Sequence, residues 1–134
     1  MKKEVNNNID FKTLQEALRE IFESDIKGKE KKAESLISKN PVVLKYIENK
    51  KKIDELISWS TGKNIKIIPH IERDVLRVLV AEILLGVDEK TLISHAVKLS
   101  KKYLSTNSHK FLVAIFYKIL EKVKDLKQEE ENKN

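Results

Sequence analysis

From Phe11 to Phe22 the apolar residues Phe11, Leu14, Ala17, Leu18, Ile21 and Phe22 recur at steps of three, three, one, three and one. That spacing lays them along one stripe of an amphipathic α-helix. Asp10 offers an N-cap and Gly28 a stop. Residues 29–39 carry only Ala33, Leu36 and Ile37 as an apolar face, which predicts a short, weakly buried helix. Asn40-Pro41 then reads as an N-cap followed by proline at the first helical position, where its missing N–H costs nothing. Val42, Val43, Tyr46 and Ile47 make a short helix, and Ile53, Leu56, Ile57 and Trp59 continue a helical stripe until Ser60-Thr61-Gly62 breaks it. After a connection over residues 63–67, Pro69 opens the strongest element. Its apolar residues Ile71, Val75, Leu76, Val78, Leu79, Val80, Ala81, Ile83, Leu84 and Leu85 occupy almost every face. A helix apolar all round is wrapped by others, so this one belongs at the centre of the fold. Gly86-Val87-Asp88 turns the chain, and Asp88 caps a helix carrying Leu92, Ile93, Ala96, Val97, Leu99 and Tyr103. The last helix starts at Ser105 or Asn107 and runs to about Leu126, with Phe111, Leu112, Ile115, Phe116, Ile119, Leu120 and Val123 as its stripe.

The pattern predicts an all-α fold of six or seven helices with no strand. Residues 1–9 are polar and residues 127–134 are charged without periodicity, so a single domain over 10–126 with loose ends is expected. Composition agrees: 134 residues suffice for one core, and three Gly with two Pro are too few for the tight turns of an all-β domain. With no cysteine, disulfides, thiolate nucleophiles and Cys-ligated metal sites are excluded. No apolar run approaches a membrane span and no segment reads as a secretory leader, so a soluble, cytoplasmic protein without membrane partners is expected.

Candidate chemistry is sparse. His70, His95 and His109 stand 25 and 14 residues apart, without metal-ligand spacing. There is no glycine-rich phosphate loop and no nucleophile elbow. Asp54-Glu55 and the acidic residues 129–131 read as ordinary charge on solvated surfaces. A non-enzyme without metal or cofactor is the expectation. The net charge is +6, and 24 of the 27 basic residues are lysine, the exceptions being Arg19, Arg73 and Arg77. Such a balance favours polyanionic partners, although a solvated helical surface also carries lysine. Three lysine clusters stand out: Lys27, Lys29, Lys31 and Lys32; Lys50 to Lys52; and Lys98, Lys101 and Lys102. The third leads directly into Tyr103-Leu104 and then Ser105-Thr106-Asn107-Ser108-His109-Lys110-Phe111 at a helix start. Free N–H groups there suit a phosphate, hydroxyl and amide groups can read unpaired bases, and aromatic rings can stack on them. Simple capping by Ser105 or Asn107, with Tyr103 and Phe111 in the core, explains the same residues, and both readings stand at this point.

Ile71-Glu72-Arg73-Asp74-Val75-Leu76-Arg77-Val78-Leu79-Val80-Ala81-Glu82-Ile83-Leu84 resembles the central helix of the NusB transcription antitermination family, and Asn107-Ser108-His109-Lys110-Phe111 resembles the opening of that family's final helix. Ile53-Asp54-Glu55-Leu56-Ile57, followed by a loop and Pro69, is similar to its approach to the central helix; the likeness extends over residues 50–125. The resemblance implies two packed helical subdomains. It also implies a non-catalytic factor that binds boxA-like single-stranded RNA with the small-subunit ribosomal protein acting as NusE, in the transcription elongation complex, notably on ribosomal RNA operons. By position it assigns Glu72 to the NusE surface and Asn107, Lys110, Tyr103 and Phe111 to RNA; the candidate sites are completed by Arg73 beside Glu72 and, for RNA, by Ser108 and the lysines Lys2, Lys3, Lys12, Lys101 and Lys102. The family's arginine-rich first helix is replaced here by Lys2, Lys3, Lys12 and Arg19; its Val-Asn-Gly after the Phe by Leu112-Val113-Ala114; its Asn-Glu by Ser94-His95. Two further readings follow from the resemblance: a protein-interaction module of this fold with weak or lost RNA binding, and an accessory domain like those of ribosomal RNA cytosine methyltransferases.

Overall fold

Asp10, in extended backbone, accepts a hydrogen bond from the Thr13 N–H at 2.8 Å and so opens the first helix, α1 (Phe11–Ile26). The structure, a computed structural model, describes residues 8–27 and 37–132. The expected stop at Gly28, the helix over 29–36 and the N-terminal Lys2 and Lys3 lie outside them; residues 37–40 form no helix. Asn40 accepts from the Val42 and Val43 N–H groups to start α2 (Pro41–Glu48) and donates through Nδ2 to the Thr13 carbonyl, tying α1 to α2. A break at Asn49 separates α2 from α3 (Lys50–Thr61). Gly62 ends α3 with φ +72°, a left-handed conformation that glycine adopts without strain. A 3-10 turn at Ile65–Ile67 leads to α4 (His70–Leu84), and α5 (Glu89–Tyr103) begins at its Asp88 cap. α6 (Thr106–Asn132) completes an all-α fold with no strand among the described residues.

α4 packs against all five other helices. Every residue from Arg73 to Ile83 is buried, the arrangement its all-round apolar pattern calls for. α1 and α2 cover one side; α5 and α6 pack on each other and on α4; α3 lies against α4 and α6. Three outcomes differ from the sequence reading. α6 continues to Asn132 instead of ending near Leu126, because Lys-Gln-Glu-Glu-Glu has good helix propensity and nothing there breaks a helix. On α3, the position that continues the stripe of Ile53, Leu56 and Ile57 is Ser60, whose hydroxyl donates to the Ile57 carbonyl at 3.0 Å; Trp59, about 100° round the helix, is turned outward. On α6 the buried stripe starts at Leu112, which leaves Phe111 52% exposed.

Candidate nucleic-acid interface

Three elements meet beside the N-terminal end of α4. α1 contributes Lys12, Gln15, Arg19 and Phe22, α4 contributes Ile71, and the last turn of α5 contributes Lys102 and Tyr103; together they line an open groove of about 470 Å³. The Gln15 Nε2 donates to the Tyr103 hydroxyl at 3.2 Å, and the Lys102 ammonium lies 5.7 Å from the centre of the Tyr103 ring. One wall is therefore a partly exposed aromatic ring with a cation beside it, and the other carries Lys12 and Arg19. Glu16 is the one carboxylate in the lining. Expected RNA residues from distant parts of the sequence, Lys12, Lys102 and Tyr103, share this groove; Lys101 is exposed next to it without lining it.

Just beyond Tyr103, α6 begins. Ser105 is its cap, accepting weakly from the Ser108 N–H at 3.3 Å, while its carbonyl accepts from the His109 N–H at 2.8 Å. Asn107 is thus a first-turn residue with an exposed side chain, and Lys110 is exposed one turn on. Helix geometry leaves the N–H groups of Thr106 and Asn107 without intrahelical acceptors, at the positive end of the helix dipole. Phe111 lies on another side, where it lines a shallow depression with Thr61, Lys63, Glu72 and Leu76. Residues assigned to RNA and to the protein partner meet there, Phe111 beside a half-buried Glu72.

Arg73 is a correction. It is 3% exposed, its Nη2 donates to both Asp25 oxygens at 2.7 Å and its Nη1 to the Ile65 carbonyl at 3.0 Å. One helical step separates it from Glu72, and that step turns it from the surface into the interior, where its charge is spent on a buried carboxylate instead of a partner. Asp54 is also misplaced by the sequence reading: it is largely withdrawn from solvent and takes a two-pronged contact from Arg77 Nε and Nη2 at 2.9 and 3.0 Å. Arg77 Nη1 further donates to Asp74 at 3.1 Å, and its guanidinium lies 5.3 Å from the Tyr46 ring centre. His70 joins the cluster through Nδ1, 2.7 Å from Arg73 Nη2 and 3.1 Å from Asp25. Burial above all, then the hydrogen bond and charge of Asp25, pushes Asp74 up to about 8. Asp74 thus keeps its proton at neutral pH, and the two guanidiniums face the carboxylates of Asp25 and Asp54, the latter also 3.1 Å from the Lys50 ammonium. Sequence reasoning missed this network. Its available signal was two arginines four residues apart on a helix whose every face is apolar, which forces both inside.

A second buried polar pair sits between α4 and α5: His95 Nδ1 is 2.5 Å from Glu82 Oε2. No cluster of three or more metal-ligating side chains occurs among the described residues. No helix is long and apolar enough to cross a membrane among them.

The fold and its cationic groove define the class: an all-helical bundle built round a buried central helix. The NusB family model matches residues 2–121, and the chain belongs to the NusB family. Among relatives, it is 32% identical over 84 residues to the transcription antitermination protein NusB of Trichodesmium erythraeum, covering 61% of this chain and 41% of that protein. Against the NusB of Buchnera aphidicola subsp. Cinara cedri it is 32% identical over 88 residues, 64% of this chain and 62% of that one. The chain thus spans about two fifths of the cyanobacterial relative. A solved structure of T. maritima NusB has the same fold, with a TM-score of 0.68 at 21% identity, covering 89% of this chain and 93% of that chain.

Proposed function

We propose that the chain is a non-catalytic transcription antitermination factor that binds a boxA-like single-stranded RNA together with the small-subunit ribosomal protein acting as NusE, in the cytoplasmic elongation complex. The observation that carries the reading is the groove in which Lys12 of α1 meets Lys102 and Tyr103 of α5. Its cations take phosphates, its ring takes a base, and the nearby start of α6, with Asn107, Ser108 and Lys110, adds donors for base edges. Phe111 stacks a further base, and Glu72 in the same depression faces the protein partner. Lys101, next to the groove, adds to its field, and Lys2 and Lys3 supply charge from the N-terminal segment.

The test is a titration of a dye-labelled boxA-like RNA at two salt concentrations, with and without the ribosomal protein. Affinity is expected to fall with salt and rise with the partner. Replacing both Lys12 and Lys102 by Gln is expected to lower the log–log salt slope by about 1.4, near 0.7 for each phosphate of a single strand that a lysine no longer neutralises. Affinity that neither falls with salt nor rises with partner would refute the reading. The presence of Glu16 in the groove, and of only Lys12 and Arg19 as cations on α1, favours one alternative: a protein-interaction module with weak or lost RNA binding. That reading expects undiminished binding of the ribosomal protein with Asn107→Ala and Lys110→Ala both silent.

A further inference from the structure

Trp59 is the only tryptophan of the chain and is 47% exposed, while its neighbour Ser60 takes the buried position on the helix. Two lysines of α6 attend it: the Lys118 ammonium is 5.0 Å from the ring centre and that of Lys122 5.2 Å. Lys118 is also held to α3 by a 3.2 Å hydrogen bond from its Nζ to the Ser60 carbonyl. Lysines four residues apart on a helix repel each other, and among the described residues neither of these has a carboxylate in ion-pair range. Glu121, between them in sequence, is engaged with Lys124 instead. Glu55, one turn before Trp59, lines a separate depression with Lys50 and Lys51. An indole face with two uncompensated cations is the result.

The patch is continuous with the surface described above. Lys118 follows Phe111 by seven residues, which places it on the same side of α6 about 10 Å further along the axis. Thr61 and Lys63, just past Trp59 at the end of α3, line the depression that holds Phe111. We propose that Trp59 is a second stacking platform for single-stranded RNA, reached by a strand that leaves Phe111 and follows the seam between α3 and α6. This rests on the RNA-binding reading and extends it. Charge complementarity selects the occupant: a phosphate between Lys118 and Lys122 relieves their repulsion while its base covers the indole. An acidic peptide would satisfy the lysines and leave the ring unused.

The experiment uses a 12-nucleotide boxA-like RNA with a terminal dye. Dye anisotropy reports binding, and Trp59 emission reports contact at the proposed platform. Emission is expected to be quenched in step with the anisotropy. Trp59→Ala should weaken binding about 10-fold, and Trp59→Phe should restore most of it. If Trp59→Ala loses helix content by circular dichroism, the quenching in the unaltered chain and a lowered salt slope in the Lys118→Gln/Lys122→Gln double variant decide. Binding by anisotropy with emission unmoved and Trp59→Ala at full affinity overturns the inference and leaves the RNA reading standing. Equal quenching by oligoglutamate overturns it in favour of an acidic protein partner. No RNA binding at all refutes both.

Discussion

Glu82→Gln isolates one proton in the interior. Glu82 is wholly buried on α4, its Oε2 meets His95 Nδ1, and its Oε1 has no hydrogen-bond partner. Burial, then the charge of Asp88, pushes Glu82 up to about 8, while burial, then the charge of Lys98, lowers His95. At neutral pH the pair is therefore uncharged, with Glu82 keeping its proton and donating it to Nδ1 of a neutral imidazole. In the unfolded chain Glu82 titrates at its ordinary 4.5 and His95 at 6.5. Raising the Glu82 value gives stability that is complete below pH 4.5 and is lost as pH rises through about 8. Lowering the His95 value works the other way, since stability present above 6.5 is lost as pH falls below it. Below 6.5 the two effects oppose each other; above 6.5 only the Glu82 effect acts, and the pair's contribution declines over the roughly 1.5 units from 6.5 to about 8. At about 1.4 kcal/mol per unit the alkaline decline amounts to about 2 kcal/mol. Glu82→Gln keeps the shape and cannot release a proton, so its decline above 6.5 should be shallower by that amount. With His95 then titrating alone, the variant should also lose stability as pH falls below 6.5, where in the parent the Glu82 proton opposes that loss. Urea unfolding followed by circular dichroism from pH 5 to 8.5 measures both curves. Asp74 adds the same slope to each, and the difference is the Glu82 proton. Equal slopes between 6.5 and 8 would refute the reasoning.

In the other buried cluster, Arg77→Met should cost about 3–5 kcal/mol by urea unfolding, because Asp54 loses its two-pronged partner. Asp74→Asn should stay within about 1 kcal/mol of the parent at pH 7 and lose less stability from pH 7 to 9, since the protonated acid is already the neutral form. Gly62→Ala should cost about 1 kcal/mol through its positive φ alone, there being nothing within 4 Å of the added Cβ; a thermal melt suffices to check it. Asn40→Ala should cost about 2 kcal/mol, one part for the lost cap of α2 and one for the bond to Thr13.

The helices were legible because burial imposes a period, and caps such as Asp10, Asn40 and Asp88 and the stop at Gly62 have local chemistry that any sequence displays. What a stripe does not resolve is a single helical step. Trp59 and Phe111 are each one residue off the buried line, and their hydrophobicity argued for the interior while Ser60 and Leu112 took the places. Ser60 can do so because its hydroxyl bonds back to its own helix. The same one-step ambiguity separated Glu72 from Arg73. Asp25 with Arg73 and Asp54 with Arg77 span 48 and 23 residues, and no local pattern pairs them. The groove was half legible: the α5 end announced itself through adjacent lysine and aromatic residues, but its meeting with Lys12 depends on how α1 lies over α4, a tertiary fact.

That tertiary fact is set by the charges at the centre. Apolar side chains alone would hold α1 on α4 with little preference for register, since sliding by one turn exchanges one aliphatic neighbour for another. The Arg73 guanidinium meeting both oxygens of Asp25 admits no such exchange, because a shifted helix would leave two charges buried and unpaired. Arg77 does the same for α3 through Asp54. Arg73 sits two residues after Ile71, which lines the groove, so the pair that locks α1 onto α4 also fixes the α1 wall that carries Lys12 and Arg19. The hydrogen bond from Gln15 on α1 to Tyr103 on α5 then ties that wall to the one carrying Lys102.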